Sequence, residues 1–576
     1  MAEQGASENE IQAVAESTPA QSEKDSTPEQ VPLSKAALDT AGQAKPELVI
    51  GLVGPVGTDL HGLARTIEEK LCAFKYRCEQ IKVSTLIKGM CDAATKAKLE
   101  TAKGGERIEL LMEAGDRIRT KAQNGGALVP LIVTAIRTAR AAFNRERNVT
   151  DDTHADDACY IVDSLKHPDE IKRLRSLYGR GFVLISAFDS TDLRIKKLQR
   201  DIARANTSTD VDQFRDDAIK LVDTDSKRPG GGIGQNVQDA FPLGDFFIRV
   251  HGGYDVPLGR FLDALFGDPY VTPYRCEHHM SEASMAALRS ADLSRQIGAV
   301  IVDHHGEIVS TGCNDVPMAG GGTYWPDEPS HLDNRDFRTG QDFNAVKKFD
   351  IISELLSFLE KHELYDRAKE GDAASITAEL VTGRFRTEFK ELRISNLIEF
   401  GRVVHAEMAA LMRAAQRGIA VDRSTIYSTT FPCHMCARHI IAAGVSRVVY
   451  IEPYPKSMTS ELFPESVSID HKNVSADRPD FGEGHQRSGA DGDRIVVRFD
   501  PYEGIAPRLY AQLFRVGSGR KDAKGYTVEW RRAEAVPKTF DRPEIDLVLE
   551  RQFATGLGDI DPIGLTGVVE KEGART

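Results

Sequence analysis

Val404-His405-Ala406-Glu407, followed downstream by Phe431-Pro432-Cys433-His434-Met435-Cys436, sets one imidazole, one carboxylate and two thiols in a fixed order. One His and two Cys supply three ligands of a tetrahedral Zn²⁺ site and leave the fourth position to a water, whose pKa such an ion brings towards neutrality. Glu407 sits two residues beyond the candidate ligand His405. It can face that water without binding the ion, which makes it a candidate general acid–base. A lone Cys-x-x-Cys reads equally as a redox pair or as half of a structural zinc site. The two motifs in this order, each opening a helical stretch, favour a catalytic centre with His405, Cys433 and Cys436 as metal ligands.

The flanking pattern predicts the fold around this centre. His405 opens an apolar-periodic run (Ala409, Ala410, Leu411, Ala414, Ala415) that stops at Gly418, a helix C-terminal signal. Ser424-Thr-Ile-Tyr-Ser-Thr-Thr-Phe431 reads as a strand. A second helix starts at the Pro-Cys-x-x-Cys and ends at Gly444, and Ser446-Arg-Val-Val-Tyr-Ile451 is another strand. Helix–strand–helix–strand order places the two ligand-bearing helix starts side by side, where the helix dipole stabilises a thiolate. Upstream, 281–293 reads as a helix. A strand over 294–302, a turn at His304-His305-Gly306 and a returning strand over 307–314 follow it.

His-x-Glu with Pro-Cys-x-x-Cys resembles the zinc-dependent base deaminases, which implies a cytidine-deaminase-like α/β/α domain over 272–535. Ser294-Arg-Gln-Ile-Gly-Ala-Val-Ile-Val302, Thr311-Gly-Cys-Asn314-Asp-Val-Pro317 and Trp325-Pro326 make the resemblance more specific, to the deoxycytidylate deaminases. It implies one catalytic Zn²⁺ per subunit and a deoxynucleotide substrate. It also implies a sugar contact for Asn314, a place near the phosphates for Arg295, and a substrate contact for Tyr454. The plainer readings are that Asn314 shapes a turn, Arg295 pairs with a nearby acid and Tyr454 belongs to the core. The stretch of about 315–400 is an insertion, expected to cover the site or to build an oligomer contact. Cys276, His278 and His279 are a candidate second, structural metal site. The polar, Gly-rich stretch 470–493 reads as a mobile loop.

The first half of the chain has a different character. Residues 1–46 lack aromatics and are rich in Ala, Glu, Gln, Ser, Thr and Pro, which predicts a disordered tail. Leu48-Val-Ile-Gly-Leu-Val53, a Gly-rich turn and a helix over 63–74 form the setting of a phosphate-binding loop, with Gly51, Gly54, Gly57 and Thr58 as candidate nucleotide contacts. The stretch 47–250 resembles a P-loop nucleotide kinase, doubly wound α/β. Support comes from the strand ending at Asp163, the strand over 182–188 and the basic segment from Arg194 to Arg204. The resemblance is degenerate. Asp59-Leu60-His61 stands where the motif requires its lysine, so the domain is expected to bind a nucleotide or to serve as scaffold rather than transfer phosphate. Gly230-Gly-Gly-Ile-Gly234 reads as a flexible loop, 251–271 as a linker and 536–576 as a C-terminal extension.

With 576 residues the chain is long enough for two or three domains, and 41% hydrophobic content suffices for their cores. A net charge of −13 and 7% aromatics disfavour a polynucleotide-binding groove, hence a strand-editing enzyme. Eight cysteines without a disulfide framework and no secretory or membrane-length apolar run fit a cytoplasmic protein. A degenerate P-loop domain fused to a deoxycytidylate-deaminase-like domain resembles the bacterial anti-phage deoxycytidine nucleotide deaminases. That resemblance implies deamination of dCTP and dCMP, a homo-oligomer and control in some members by an inhibitory small RNA. A housekeeping dCMP deaminase and a nucleotide-sensing switch with a residual deaminase domain are the alternatives.

Overall fold

The computed structural model describes residues 45–151, 153–227, 234–365, 371–390, 392–454, 457–469, 495–517, 519–538 and 547–555. The tail at 1–44, the glycine loop at 230–233 and the loop at 470–493 lie outside the described residues. The described chain is α/β, with two mixed, mainly parallel six-stranded sheets.

The first sheet has the order β12-β5-β4-β1-β3-β2. Its strands are β1 (Leu48–Val53), β2 (Arg77–Lys82), β3 (Ala158–Leu165), β4 (Phe182–Phe188), β5 (Phe246–Arg249) and β12 (Gly504–Ile505). All neighbours are parallel except β12, which runs antiparallel to β5. β1 is buried at every position, the continuous apolar run that a parallel sheet covered on both faces requires. Its side chains alternate, Val49 and Val53 entering one core and Leu48, Ile50 and Leu52 the other. Each such aliphatic chain contributes roughly 1.5–3 kcal/mol on burial.

The second sheet has the order β10-β11-β9-β8-β6-β7. It comprises β6 (Gly298–Val302), β7 (Ile308–Cys313), β8 (Thr425–Thr430), β9 (Arg447–Glu452), β10 (Val467–Ile469) and β11 (Val497–Pro501). The β6–β7 hairpin and the β6–β8 pair are antiparallel, and β8, β9, β11 and β10 run parallel. Helices lie on both faces. Arg275–Ala287 packs on β6 at Gly298, where a Cβ would stand 1.9 Å from the Ala283 carbonyl oxygen. Ala406–Gln416 packs on β7 at Gly312, where a Cβ would stand 2.1 Å from the Ala406 carbonyl oxygen. Both glycines are needed because helix backbone touches strand backbone there.

Boundaries drawn at 250 and 536 do not separate independent bodies. β12 follows β11 after two residues and closes the edge of the first sheet, and Phe247 of β5 meets Tyr502 edge-on with centroids 5.7 Å apart. Phe247, Met280, Val300, Tyr427, Val449 and Tyr502 share one core between the sheets. The 251–271 stretch contains the helix Asp255–Leu265, which packs into the first module rather than linking two domains. Part of the C-terminal extension also belongs to the first module. The Leu547–Thr555 helix packs against it, and its buried Glu550 meets Arg140, which also holds Glu47 through Nε at 2.7 Å.

Candidate active site

Two helix starts meet at the carboxyl ends of β8 and β9. His405 caps the Ala406–Gln416 helix and Cys433 caps the His434–Ala442 helix, both in extended backbone conformation. A pair of hydrogen bonds between Asp315 and Val404 (Asp315 N to Val404 O 3.3 Å, Val404 N to Asp315 O 3.0 Å) ties the entry of the first helix to the end of the hairpin. His405 Nδ1 lies 3.2 Å from Cys433 Sγ and 3.4 Å from Cys436 Sγ. Tetrahedral zinc with bonds of about 2.0–2.3 Å needs ligand atoms roughly 3.5–3.8 Å apart, so a small adjustment accommodates the ion. Among the described residues no other trio of His, Cys, Asp or Glu converges in this way.

Glu407 is buried in the first turn of its helix. Its Oε1 accepts from Ser428 Oγ at 3.3 Å, and its Oε2 accepts from Cys436 Sγ at 3.4 Å. Burial raises its pKa, and the charge of Cys433 raises it further. The Cys433 thiol is held at about 4 by the hydrogen that Cys436 donates and by His405, while Cys436 is shifted upwards. His405 is raised to about 9, chiefly by its hydrogen bond to Cys433. An imidazole and two thiols, one of them already favouring the thiolate, are the donors that a zinc dication takes once they give up their protons. The donor set fits zinc.

A cavity of about 410 Å³ opens over this centre, and Asn314, Arg295 and Tyr454 all line it together with His405, Glu407 and Cys433. Asn314 is engaged on both sides of its amide. Its Oδ1 accepts from Ile297 N at 2.7 Å and its Nδ2 donates to Arg295 O at 2.8 Å, leaving one Nδ2 hydrogen uncommitted. It therefore shapes the 295–297 turn as well as facing the cavity. Arg295 pairs with Glu452 at 2.6 Å and is half-exposed. Tyr454 is half-buried against the core, and burial raises its pKa. Trp325 lies outside this lining, its ring under the Arg289 guanidinium at 3.6 Å.

Sequence reasoning did not single out Ser428, Thr430 or Phe431, nor the insertion residues that wall the cavity, among them Asp342, Asn344, Lys348 and Leu397. The Asp342 N-cap ahead of the Phe343–Lys361 helix was the one local signal for them.

The candidate second metal site does not assemble. On the Arg275–Ala287 helix, His278 Nδ1 meets Tyr510 Oη at 3.0 Å, His279 Nε2 meets the Gly306 carbonyl at 3.0 Å, and Cys276 points to the Glu503 carbonyl. Neighbouring positions on a helix diverge, and these three diverge onto separate partners. The phosphate-loop candidates are also held internally. Gly51 lies within β1, and a Cβ there would meet Leu165 and Phe182 side chains, so the position serves packing. Lys166 Nζ donates to Gly54 O at 2.7 Å, and Gly57, at φ +86°, packs on the Arg194 backbone. Thr58 N donates to Pro55 O at 3.1 Å. An Asp225 carboxylate oxygen accepts from Val56 N at 2.8 Å, so an acid already occupies an amide of the turn.

Residues 274–452 match the family described as "Cytidine and deoxycytidylate deaminase zinc-binding region". The chain is 33% identical over 76 residues to ComE operon protein 2 of Bacillus subtilis (strain 168), which is 13% of this chain and 40% of that protein. It is 28% identical over 177 residues to the deoxycytidylate deaminase of Enterobacteria phage T2, 30% of this chain and 78% of that one. Among solved structures, a dCMP deaminase from the cyanophage S-TIM5 is similar at 19% identity and a TM-score of 0.18, over 33% of this chain and 94% of that one. No helix among the described residues is long and apolar enough to cross a membrane.

Proposed function

We propose that the chain is a zinc-dependent hydrolytic deaminase of deoxycytidine nucleotides. The observation that carries this reading is the placement of Glu407, a buried carboxylate in the same cavity as the His405, Cys433 and Cys436 donors. Zinc held by those donors would supply a Lewis acid that lowers the pKa of a bound water. Glu407 would take one proton of the attacking water and deliver it to the pyrimidine ring nitrogen, then take the remaining hydroxyl proton at C4 and pass it to the departing amino group, so that ammonia leaves as the C4 carbonyl forms. Ser428 holds the carboxylate in place by donating to Oε1. Phe431 and Tyr454 give the cavity apolar walls for a base, and the free Nδ2 hydrogen of Asn314 is available to a sugar oxygen.

The finer reading is that dCTP as well as dCMP is consumed, depleting cytosine precursors during phage infection. It rests on the two-module architecture of the family the sequence resembles, as do the expected homo-oligomer and inhibitory RNA. The first sheet supports a P-loop-kinase-like scaffold, with a Gly-rich turn after a central β1. The test is release of ammonia and uracil nucleotide by zinc-loaded protein from dCMP, dCTP, deoxycytidine, CTP and a cytosine-containing single strand, with Glu407→Ala as control. Turnover of dCMP or dCTP that vanishes in the variant supports the reading. Turnover of the single strand alone overturns it.

A further inference from the structure

The insertion contributes one wall of the cavity, and among the described residues that wall carries a cation with no carboxylate to answer it. Lys348 lies in the Phe343–Lys361 helix one turn beyond Asn344, and both residues line the cavity. Its Nζ donates to one main-chain oxygen, Ser395 O at 3.1 Å, which leaves two ammonium hydrogens. No ion pair to it exists among the described residues.

The acids in the same cavity are committed elsewhere. Asp336 pairs with Arg402 at 3.1 Å, Asp342 caps its helix through Ala345 N at 3.0 Å, and Asp292 accepts from the amides of Ser294 and Arg295. Arg295, on the other side, already holds Glu452. Asn344, one turn earlier, is held to the opposite segment, its Nδ2 donating to Leu397 O at 2.9 Å.

A nucleotide differs from its nucleoside by an anion, and an ammonium facing the cavity with hydrogens to spare is the group that answers it. We propose that the insertion builds the phosphate subsite of this cavity. Lys348 receives the 5′-phosphate through the two ammonium hydrogens that Ser395 leaves to it. On this proposal, which rests on the deaminase reading, Lys348 is the residue that makes the enzyme select nucleotides over nucleosides. A charge-assisted hydrogen bond of about 1.5–3 kcal/mol corresponds to roughly 10–100-fold in affinity.

The experiment compares full-length, zinc-loaded wild type with Lys348→Ala and Lys348→Arg. It measures KM and kcat for dCMP, dCTP and deoxycytidine, and the Kd of dUMP and deoxyuridine by calorimetry. Lys348→Ala is expected to raise KM for the nucleotides and Kd for dUMP about tenfold or more. Deoxycytidine and deoxyuridine should stay within about twofold, and Lys348→Arg should recover part of the loss. Equal losses for nucleotide and nucleoside would mean that Lys348 only pins the Ser395 segment, and no loss would make it a solvated lysine. Either result overturns the proposal. If wild type deaminates nothing, the deaminase reading fails, while the dUMP and deoxyuridine affinities still decide whether the subsite exists.

Discussion

At the scale of single residues, the proposed chemistry depends on which protons Glu407 can hold. Glu407→Gln keeps the volume and the neighbours but cannot take a proton, so turnover is expected to fall by about 10²–10⁴-fold or more. Zinc content by elemental analysis should remain at one ion per chain, because the carboxylate is not a ligand. A fall in zinc content instead would place Glu407 in the coordination shell. His279 makes a separate prediction, about stability. Burial lowers its pKa from 6.5 to about 4, and the charges of His278 and Arg275 act in the same direction. Between those values the unfolded chain binds the proton and the folded chain does not. The contribution is therefore complete above pH 6.5 and lost as pH falls towards 4. Urea midpoints measured across pH 4–7 should show a shallower acid decline for His279→Gln than for wild type.

At the scale of elements, backbone contact positions the ligand-bearing helix. Gly312 lets the Ala406–Gln416 helix rest on β7, and Gly312→Val is expected to displace that helix. The expected result is lost zinc and activity with a thermal midpoint several degrees lower, the size of effect that overpacking by 1–3 kcal/mol gives. Retained zinc stoichiometry would show that the helix is held from elsewhere. The motif helices and strands were legible in the sequence because periodicity and metal-ligand spacing are local. The same holds for β1, whose uninterrupted Leu48–Val53 run announces a strand covered on both faces. What periodicity could not show was that Asp336, the start of the Phe343–Lys361 helix and residues 395–398 come to the cavity. The insertion's helices are amphipathic in an ordinary way, and only tertiary packing brings Lys348 and Asn344 to the site. The Cys276, His278 and His279 cluster misled for the converse reason. Adjacent positions in sequence point to different sides of a helix.

At the scale of the whole molecule, the two sheets are not separable parts. Arg508 reaches Asp245 at 2.9 Å, Arg249 reaches Glu503 at 3.1 Å, and Ala506 N donates to Asp245 O at 2.9 Å, so the segment after β11 is fastened to β5. A fragment of residues 272–535 is accordingly expected to be insoluble or inactive, whereas co-expression with residues 45–271 should restore some soluble complex. Full activity of the isolated fragment would contradict this. Glu550 gives the corresponding test at the far end. Glu550→Ala leaves the buried Arg140 with Glu47 as its remaining carboxylate and is expected to cost on the order of 3 kcal/mol in denaturant unfolding. The sequence had placed this helix in an extension, since nothing local marks a contact across some four hundred positions. The late return of the chain to its first sheet also sets an order of events during synthesis. At about 5–20 residues per second, β12 emerges tens of seconds after β5, and until then the edge of β5 has no neighbour. β11 emerges almost as late, so neither sheet is complete in a nascent chain. A chain interrupted before β11 and β12 therefore leaves both sheets unfinished, the one that carries the candidate site included.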